Sequence, residues 1–472
     1  MRRGAGLFFR LCAKGGCLLR GAALAVALPW TGPAEAETLT PDQMRVMAAR
    51  AWAAGELEMS LGLADALLAR DAGDVQALLI RSRAARDLGR YGDAREAGLA
   101  AWRGATDDGD RYAAALAVAQ ALASDGARTR AQFWLRRAVE VAPSPSHEAR
   151  AVRDFRYVRA RNPWSTRLSF SVSPSSNIND GSSEDEVPIS LGGSVPGGFQ
   201  PVFVLGPSAK ALSGIEYSAG LSTSRRLAET ARRKTTLDFG LTHRTYTLSE
   251  ESRDDAPDVE GSDFALSAVR IGVGHDWRTE DGRTELSFGT SAERNWYGGD
   301  PLSQTWRASA GVRQAITPTL MGRAGITRDL EEGLGSRADA QGWRGSAGLV
   351  HILGSGHQVS GALAYRDQSS EDGNLDFDET ELTLGFGFAR PIWGAGLSLA
   401  LSAAGRHHDE ISLLENGRDD RRYTARATVT LDEIDYLGFV PDVTLRATRN
   451  DSTLGLYDRE EFGVAFGIRS KF

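Results

Sequence analysis

Cysteine is almost absent from this chain. Only 2 of the 472 residues are cysteine, and both of them, Cys12 and Cys17, lie close to the N-terminus. This excludes a disulfide-stabilised fold and a cysteine-ligated zinc site for the rest of the chain. An excess of basic residues is absent too, because 55 Lys and Arg residues stand against 62 Asp and Glu residues. A nucleic-acid-binding protein needs a basic surface to contact phosphates, so we predict no nucleic-acid partner.

Long hydrophobic runs are lacking as well. The mean hydropathy of −0.30 and the 41% of hydrophobic residues exclude both a polytopic helical membrane protein and a disordered protein. One apolar segment, 21–30, follows five basic residues and precedes Ala34-Glu35-Ala36, a small-x-small cleavage pattern. It is about half the ~20 residues that a membrane anchor needs, and Pro29 interrupts it. Residues 1–36 are therefore predicted to be an export signal peptide.

Residues 37–161 show helical spacing and a degenerate repeat. Gly55 and Gly89 are 34 residues apart, which is the tetratricopeptide period, and Gly126 begins a third copy. In such repeats small residues let two antiparallel helices approach, Gly turns the corner between them and Pro ends the second helix. We predict a helical domain of three tetratricopeptide-like repeats over 37–161. An irregular, Ala-rich helical bundle is the alternative.

Helical spacing ends at Asn162-Pro163, and residues 162–472 alternate between apolar and polar residues instead. For example, Leu382, Leu384 and Phe386 alternate with Thr383 and Gly385. About fourteen such segments follow one another, and they are roughly twice as long as the ~5–6 residues usual for strands. Long strands with one apolar face and one polar face are what a bilayer-spanning barrel requires. The predicted fold class is α + β, with helical repeats followed by a transmembrane antiparallel β-barrel of about 14 strands.

The connections between the predicted strands alternate in length. Glu280-Asp281 and Thr317-Pro318 are tight, whereas 250–261, 331–339 and 409–419 are longer and acidic or Gly-rich. Outer-membrane barrels have short periplasmic turns and longer outer loops. We therefore expect a barrel in contact with the lipid of the outer membrane, with the helical domain in the periplasm.

The chain ends in an alternating strand with a terminal aromatic residue. Its apolar positions are Phe462, Val464, Phe466, Ile468 and Phe472. This pattern resembles the terminal strand by which outer-membrane barrels are recognised for insertion. The barrel assembly machinery is therefore an expected partner.

Two groups of basic residues are candidates for a functional role. The first group lies on the predicted polar face of the strands, where charged side chains tune what passes through a barrel or hold a plug. Its members are Arg226, Arg244, Arg406, Arg426, Arg446 and Arg469. The second group lies beside the small packing positions of the repeats, where a polypeptide client would bind. Its members are Arg86, Arg90 and Arg130.

Residues for catalysis are not apparent in the sequence. None of the seven His residues is followed by the His-x-Ser-Asn pattern of outer-membrane phospholipases, so we predict no enzymatic activity and no cofactor. His407-His408-Asp409-Glu410 contains metal-ligating residue types. Neighbouring residues on a strand end point to opposite faces, however, and no metal site is predicted.

Several short motifs resemble those of one protein family. They are Arg161-Asn162-Pro163-Trp164, Ser176-Asn177-Ile178-Asn179, Gly438-Phe439-Val440-Pro441 and Arg449-Asn450-Asp451-Ser452. Together with the order of repeats and barrel, they resemble the surface lipoprotein assembly modifier (Slam) family over nearly the whole chain after the signal peptide. The resemblance implies an outer-membrane translocon that helps particular lipoproteins or soluble proteins to reach the cell surface.

Two other functions remain open at this point. An exopolysaccharide export porin also joins tetratricopeptide repeats to a barrel, although usually with many more repeats than three. A simple diffusion porin would need no repeat domain. Because stacked helix pairs form a concave surface that binds polypeptide, a lipoprotein or secreted protein is the preferred client.

Overall fold

Seven consecutive α-helices form the N-terminal part of the structure, a computed structural model that describes residues 39–188, 202–409 and 417–470. The predicted signal peptide lies outside these residues. The helices are α1 Pro41–Ala53, α2 Leu57–Arg70, α3 Val75–Asp87, α4 Tyr91–Gly104, α5 Asp108–Ser124, α6 Arg128–Glu140 and α7 Pro145–Arg161. Successive helices pack against each other, and α3 also contacts both α1 and α5. This is the arrangement of tetratricopeptide-like repeats, as predicted.

Each of the three helix pairs turns at a glycine that the sequence repeat had indicated. Gly55, Gly89 and Gly126 have φ angles of 83°, 77° and 82°, in the left-handed region where a Cβ atom is disfavoured. After Gly89, the N–H of Arg90 donates to the carbonyl of Ala85 at 2.8 Å. This bond closes the end of α3 in the manner of a Schellman motif and lets α4 begin at once.

Small residues fill the contacts between the helices. Ala64, Ala84 and Ala131 are fully buried, which allows the helix axes to approach closely. The hydroxyl of Ser60 donates to the carbonyl of Ala48 at 2.9 Å, and that of Ser82 donates to Ala94 at 2.7 Å. The described residues include no α-helix that is both long and apolar enough to span a membrane.

The barrel contains fourteen strands within the described residues, in agreement with the prediction. They are β1 Trp164–Ser175, β4 Gly214–Glu229, β5 Arg233–Leu248, β6 Leu266–Arg278, β7 Thr284–Tyr297, β8 Asp300–Ala315, β9 Leu320–Gly333, β10 Ala340–Ile352, β11 Gln358–Ser370, β12 Phe377–Gly387, β13 Gly396–His408, β14 Arg418–Thr430, β15 Phe439–Ser452 and β16 Arg459–Ser470. All neighbours are antiparallel, and β1 pairs with both β4 and β16 to close the barrel. The short strands β2 Glu186–Pro188 and β3 Val202–Val204 form a separate sheet.

The outer surface of the barrel is an apolar band between two aromatic girdles. We call the end where α7 leads into β1 the helical end, and the opposite end the loop end. Exposed aromatic residues near the helical end are Trp164, Trp277, Trp393 and Tyr436, and those towards the loop end are Trp306, Trp343, Tyr365 and Tyr423. Exposed Leu, Ile and Phe residues, including Leu241, Ile271, Phe288, Ile326 and Leu384, lie between them. Girdles that flank an apolar band identify a membrane-facing surface.

The longest connections lie at the loop end, and no connection at the helical end has more than eight residues. Glu280-Asp281 and Thr317-Pro318 lie at the helical end, whereas the connection after β5 carries α8 Glu250–Asp255 at the loop end. Other loop-end connections are shorter, with only Gly298-Gly299 between β7 and β8 and six residues each between β9 and β10, β11 and β12, and β15 and β16. The connection after β13 lies partly outside the described residues.

The pairing of β1 is unequal on its two sides. It pairs with β4 along its whole length, from Trp164↔Arg225 to Ser175↔Gly214. With β16 it pairs only at Val172↔Phe466 and Ser175↔Gly463, in the half nearer the loop end. The β1–β16 seam is therefore the least paired junction between barrel strands in the described residues.

Candidate functional site

The six arginines predicted for the lumen lie on register positions that alternate with the membrane-facing residues. In β14, for example, Arg426 lies between Ala425 and Ala427, which pair with the outward Leu401 and Leu399. Arg426 is directly opposite Arg446 on β15. Like charges opposite each other on one face repel, so this pair is a place where an anionic group would be stabilised.

Arg406 and Arg244 form ion pairs on the same inner face. Arg406 donates to the carboxylate of Glu379 at 2.8 Å, and Arg422 donates to the same carboxylate at 2.9 Å. Arg244 lies 3.6 Å from Glu216. Arg469 lies near the end of β16, opposite Val440. The six residues thus occur at several heights and do not form a single ring.

A polar cavity of about 190 Å³ lies on the inner wall between β7 and β11. Its lining includes Glu293, Arg366 and the ion pair between Arg307 and Asp329, which are 2.6 Å apart. Acidic and basic groups therefore alternate along the lumen wall. Such a wall is hydrated and suited to polar cargo, since charged lumen residues tune selectivity.

The helical domain is joined to the barrel by a contact that the sequence did not indicate. Arg136 of α6, which is 8% exposed, donates to the carbonyls of Leu437 and Gly438 at 2.8 and 3.0 Å and to the hydroxyl of Ser470 at 2.7 Å. Its guanidinium stacks on the ring of Phe439 at 4.3 Å. Burial lowers the pKa of Arg136, and the nearby Arg159 adds to this effect. We call this contact the Arg136 junction.

A second contact fixes the other side of the domain connection. Arg226, which was predicted to line the lumen, donates to the carbonyl of Ala160 at 2.7 Å and to that of Asn162. These carbonyls belong to the end of α7 and its C-cap, where cations are favoured. Arg226 also pairs with Glu229. In the structure its side chain therefore binds the domain connection.

The three arginines predicted to contact a client lie on different helices. Arg86 of α3 donates to Asp87 at 2.7 Å and also bonds Gln120 of α5. Arg90 precedes α4 and lies 2.9 Å from Glu58. Arg130 is an exposed residue of α6. Arg86 and Arg90 therefore also link neighbouring helices.

A basic surface lies near Arg86 and includes residues that the sequence analysis missed. Burial lowers the pKa of Arg83, and the charges of Arg86 and of Arg150 on α7 lower it further. The guanidinium of Arg83 is thus close enough to those of Arg86 and Arg150 to be repelled by both. We call this cluster the odd-helix face, because its residues belong to α3 and α7. Because α3 and α7 are far apart in the sequence, no repeat or periodicity of the sequence indicated this cluster.

The adjacent residues His407 and His408 point in different directions. His407 is exposed and bonds Asp419 at 2.7 Å. His408 is fully buried, with its Nε2 atom 2.6 Å from the guanidinium of Arg418. The neighbouring Glu410 lies outside the described residues. Among the described residues, no cluster of three or more His, Cys, Asp or Glu side chains could hold a metal ion.

The apolar residues of the last strand lie on the membrane-facing side. Phe462, Phe466 and Ile468 are 56%, 52% and 61% exposed, and Val464 pairs with Leu445 of β15. The terminal Phe472 lies outside the described residues. The described part of the predicted C-terminal pattern thus forms one continuous apolar edge beside the β1–β16 seam.

The fold, the girdles and the polar lumen define a membrane β-barrel protein of the outer-membrane type with an N-terminal helical-repeat domain. A family model described as surface lipoprotein assembly modifier matches residues 164–472. The chain belongs to the surface lipoprotein assembly modifier family, which is a family of transport proteins.

Similar solved structures cover one or the other part of the chain. SycD, a type III secretion translocator chaperone of Yersinia enterocolitica, is 18% identical, with 26% of this chain and 88% of SycD covered and a TM-score of 0.24. A loop-deletion mutant of OmpT from Vibrio cholerae is 8% identical over 65% of this chain and 99% of OmpT, with a TM-score of 0.35. A bacterial polysaccharide outer membrane secretin is 11% identical over 65% of this chain and 98% of the secretin, with a TM-score of 0.32. No curated protein matches the chain.

Proposed function

We propose that this protein is an outer-membrane translocon that assists the delivery of lipoproteins or secreted proteins across the outer membrane. Membership of the surface lipoprotein assembly modifier family is the observation that carries this proposal. The helical domain gathers the client in the periplasm, and the barrel passes it to the outside. The barrel assembly machinery inserts the barrel and recognises the apolar residues of β16.

The sorting of the connections supports this orientation. The tight turns share the helical end with the repeats, and α8 lies in a long acidic connection at the loop end. In outer-membrane barrels the short turns are periplasmic and the long loops are outside. The helical domain would then meet its client before the client reaches the barrel.

Charge supports a polypeptide client with an acidic segment. On the odd-helix face, Arg83 is repelled by Arg86 and Arg150, and a carboxylate bound beside Arg83 and Arg150 would relieve this repulsion. Arg426 and Arg446 form a second unfavourable pair on the inner wall of the barrel. An acidic segment would therefore be stabilised first at the repeats and then in the lumen.

The test is co-expression with a lipoprotein encoded beside this protein's gene, followed by protease shaving of intact cells. Deletion of 41–161 should leave an inserted barrel, because barrel strands satisfy their hydrogen bonds among themselves, while surface display of the lipoprotein should fall. Arg150→Glu should lower display more than the matched change Arg103→Glu on α4. Equal display with and without the repeats would remove their role in gathering the client. Display in the absence of the whole protein would refute the translocon.

A further inference from the structure

The β1–β16 seam has no ladder pairs in the half nearer the helical end. Continuing the register from Val172↔Phe466 would place Ser171 opposite Gly467, Phe170 opposite Ile468 and Ser169 opposite Arg469. All of these residues are described, and none of these pairs is formed. Leu168 and Phe170 are 74% and 57% exposed. Both strands therefore present a backbone edge to each other without a ladder between them.

An open sheet edge is not stable in a bilayer. Backbone N–H and C=O groups that face hydrocarbon without a partner cost several kcal/mol each, so lipid-exposed sheet edges do not occur. A lipid acyl chain has no donors or acceptors to satisfy them. Another extended polypeptide has both, in the spacing that a strand requires. The geometry of the seam thus favours a peptide backbone over lipid as its occupant.

Strand β1 has the composition of an edge strand. Pro174 lies within it, and proline in a sheet is confined to edges, first positions and bulges. The apolar residues of β1 alternate with serine at 165, 169, 171 and 173. Short polar side chains on the inner face leave room for an incoming strand beside them.

The side chains that border this unpaired half of the seam define what fits it. Leu168, Phe170 and Ile468 lie on the membrane-facing side, whereas Arg167 and Arg469 lie on the lumen side of the two strands. Both arginines are exposed, and neither is a member of an ion pair among the described residues. A matching segment therefore has apolar residues on one face and acidic residues on the other.

The helical domain lies directly beside this unpaired half of the seam. Strand β1 follows α7 after only Asn162-Pro163, and the Arg136 junction reaches Ser470 at the end of β16. On the far side, Arg226 binds the end of α7 to β4. The contacts thus hold the repeats on both sides of the seam.

We propose that the helical-end half of the β1–β16 seam is a lateral portal, in which an extended, alternating and acidic segment of the client pairs with the edges of β1 and β16. This proposal rests on the translocon function and adds the route: the client enters through the barrel wall beside the repeats. The unpaired register positions 169–171 and 467–469 are its binding site.

The first test is site-specific photo-crosslinking in intact cells. A benzoylphenylalanine residue replaces Phe170 at the seam or, as the matched control, Phe288 on β7, which is also outward and 51% exposed. The probe is a co-expressed, epitope-tagged lipoprotein encoded beside this protein's gene. Polypeptide adducts at 170 and not at 288 are expected. Adducts of lipid alone at 170, or equal polypeptide adducts at both positions, would overturn the proposal.

The second test closes the seam reversibly. The pair Phe170→Cys and Ile468→Cys staples β1 to β16, while Phe170→Cys and Ala219→Cys staples β1 to its existing partner in β4. Under oxidising conditions the first staple should abolish display of the lipoprotein and the second should not, and a reductant should restore display. Full display with the seam stapled would overturn the portal but leave the translocon intact. Failure of the unstapled parent to display the lipoprotein would instead refute the translocon function.

Discussion

Arg136 has more polar partners across the domain boundary than any other side chain described above. Replacing it with Ala would leave the carbonyls of Leu437 and Gly438 without their donor, and hydrogen bonds of charged groups contribute about 1.5–3 kcal/mol each. We expect Arg136→Ala to loosen the helical domain from the barrel, measured as faster proteolysis between α7 and β1. The control is Arg137→Ala, which removes an arginine that stacks on Phe133 and Trp134 within α6. Equal proteolysis of both variants would contradict the junction.

Asp74 gives the helical domain a pH-dependent contribution to stability. Burial raises the pKa of its carboxyl. The hydrogen bonds from Arg45 and from the N–H of Ala77, together with the charge of Arg45, lower this pKa by more, so that it lies below its usual range. The folded state then binds this proton less readily than the unfolded state does. The stabilisation is therefore present above about pH 4 and is lost as the pH falls through the folded-state pKa.

The corresponding prediction concerns Asp74→Asn, which keeps the N-cap of α3 but removes the charge. At neutral pH it should lower the free energy of unfolding by about 1–3 kcal/mol, and this difference should shrink below about pH 4. This difference is measured by heating the full chain in detergent at several pH values and following its helical circular dichroism signal. Exposed Asp93 of α4 supplies the control, Asp93→Asn. If Asp74→Asn lowers the free energy of unfolding equally at every pH, the ion pair with Arg45 is not the cause of the loss.

At the scale of the helix pair, the left-handed glycines are the positions least tolerant of change. Gly89→Ala should cost about 1–2 kcal/mol, because an L-residue in this conformation brings Cβ against the following carbonyl. Gly92→Ala, inside the first turn of α4 with no atom within 4 Å of the added Cβ, should be neutral or stabilising. Thermal unfolding of the two variants distinguishes them. Similar melting temperatures would contradict the assignment of Gly89 as an obligatory turn.

At the scale of the whole molecule, the proposed orientation can be tested with two exposed positions. The chain has no cysteine after Cys17, so single cysteines report their own location. Asp254→Cys in α8 should react with an impermeant maleimide in intact cells, and Ser124→Cys at the end of α5 should react only after the outer membrane is opened. The reverse pattern would place the helical domain outside the cell.

Much of the fold was predictable because its signals are local. Alternation over 234–248 was sufficient to predict β5, observed at Arg233–Leu248, since residues two apart face the same side of a strand. The repeat glycines likewise marked the helix ends. The Arg136 junction was not predictable, because the three partners of Arg136 follow it by 301, 302 and 334 positions. No sequence period relates positions so far apart. Arg226 was assigned from its strand face alone, and its partners at the end of α7 depend on how the domains meet.

The hydrogen bonds between successive helix pairs have a consequence for how this domain can change in length. Gln76 bonds Asp110 and Arg86 bonds Gln120, each 34 positions away, while Trp52 bonds Asp87 and Tyr112 bonds His147, each 35 positions away. Each partner is therefore about one repeat further along the chain. Duplication of one repeat within the gene would supply a new copy of both sides of such a bond at once. The domain can thus grow by whole units, and its length is open to evolutionary adjustment without alteration of the barrel.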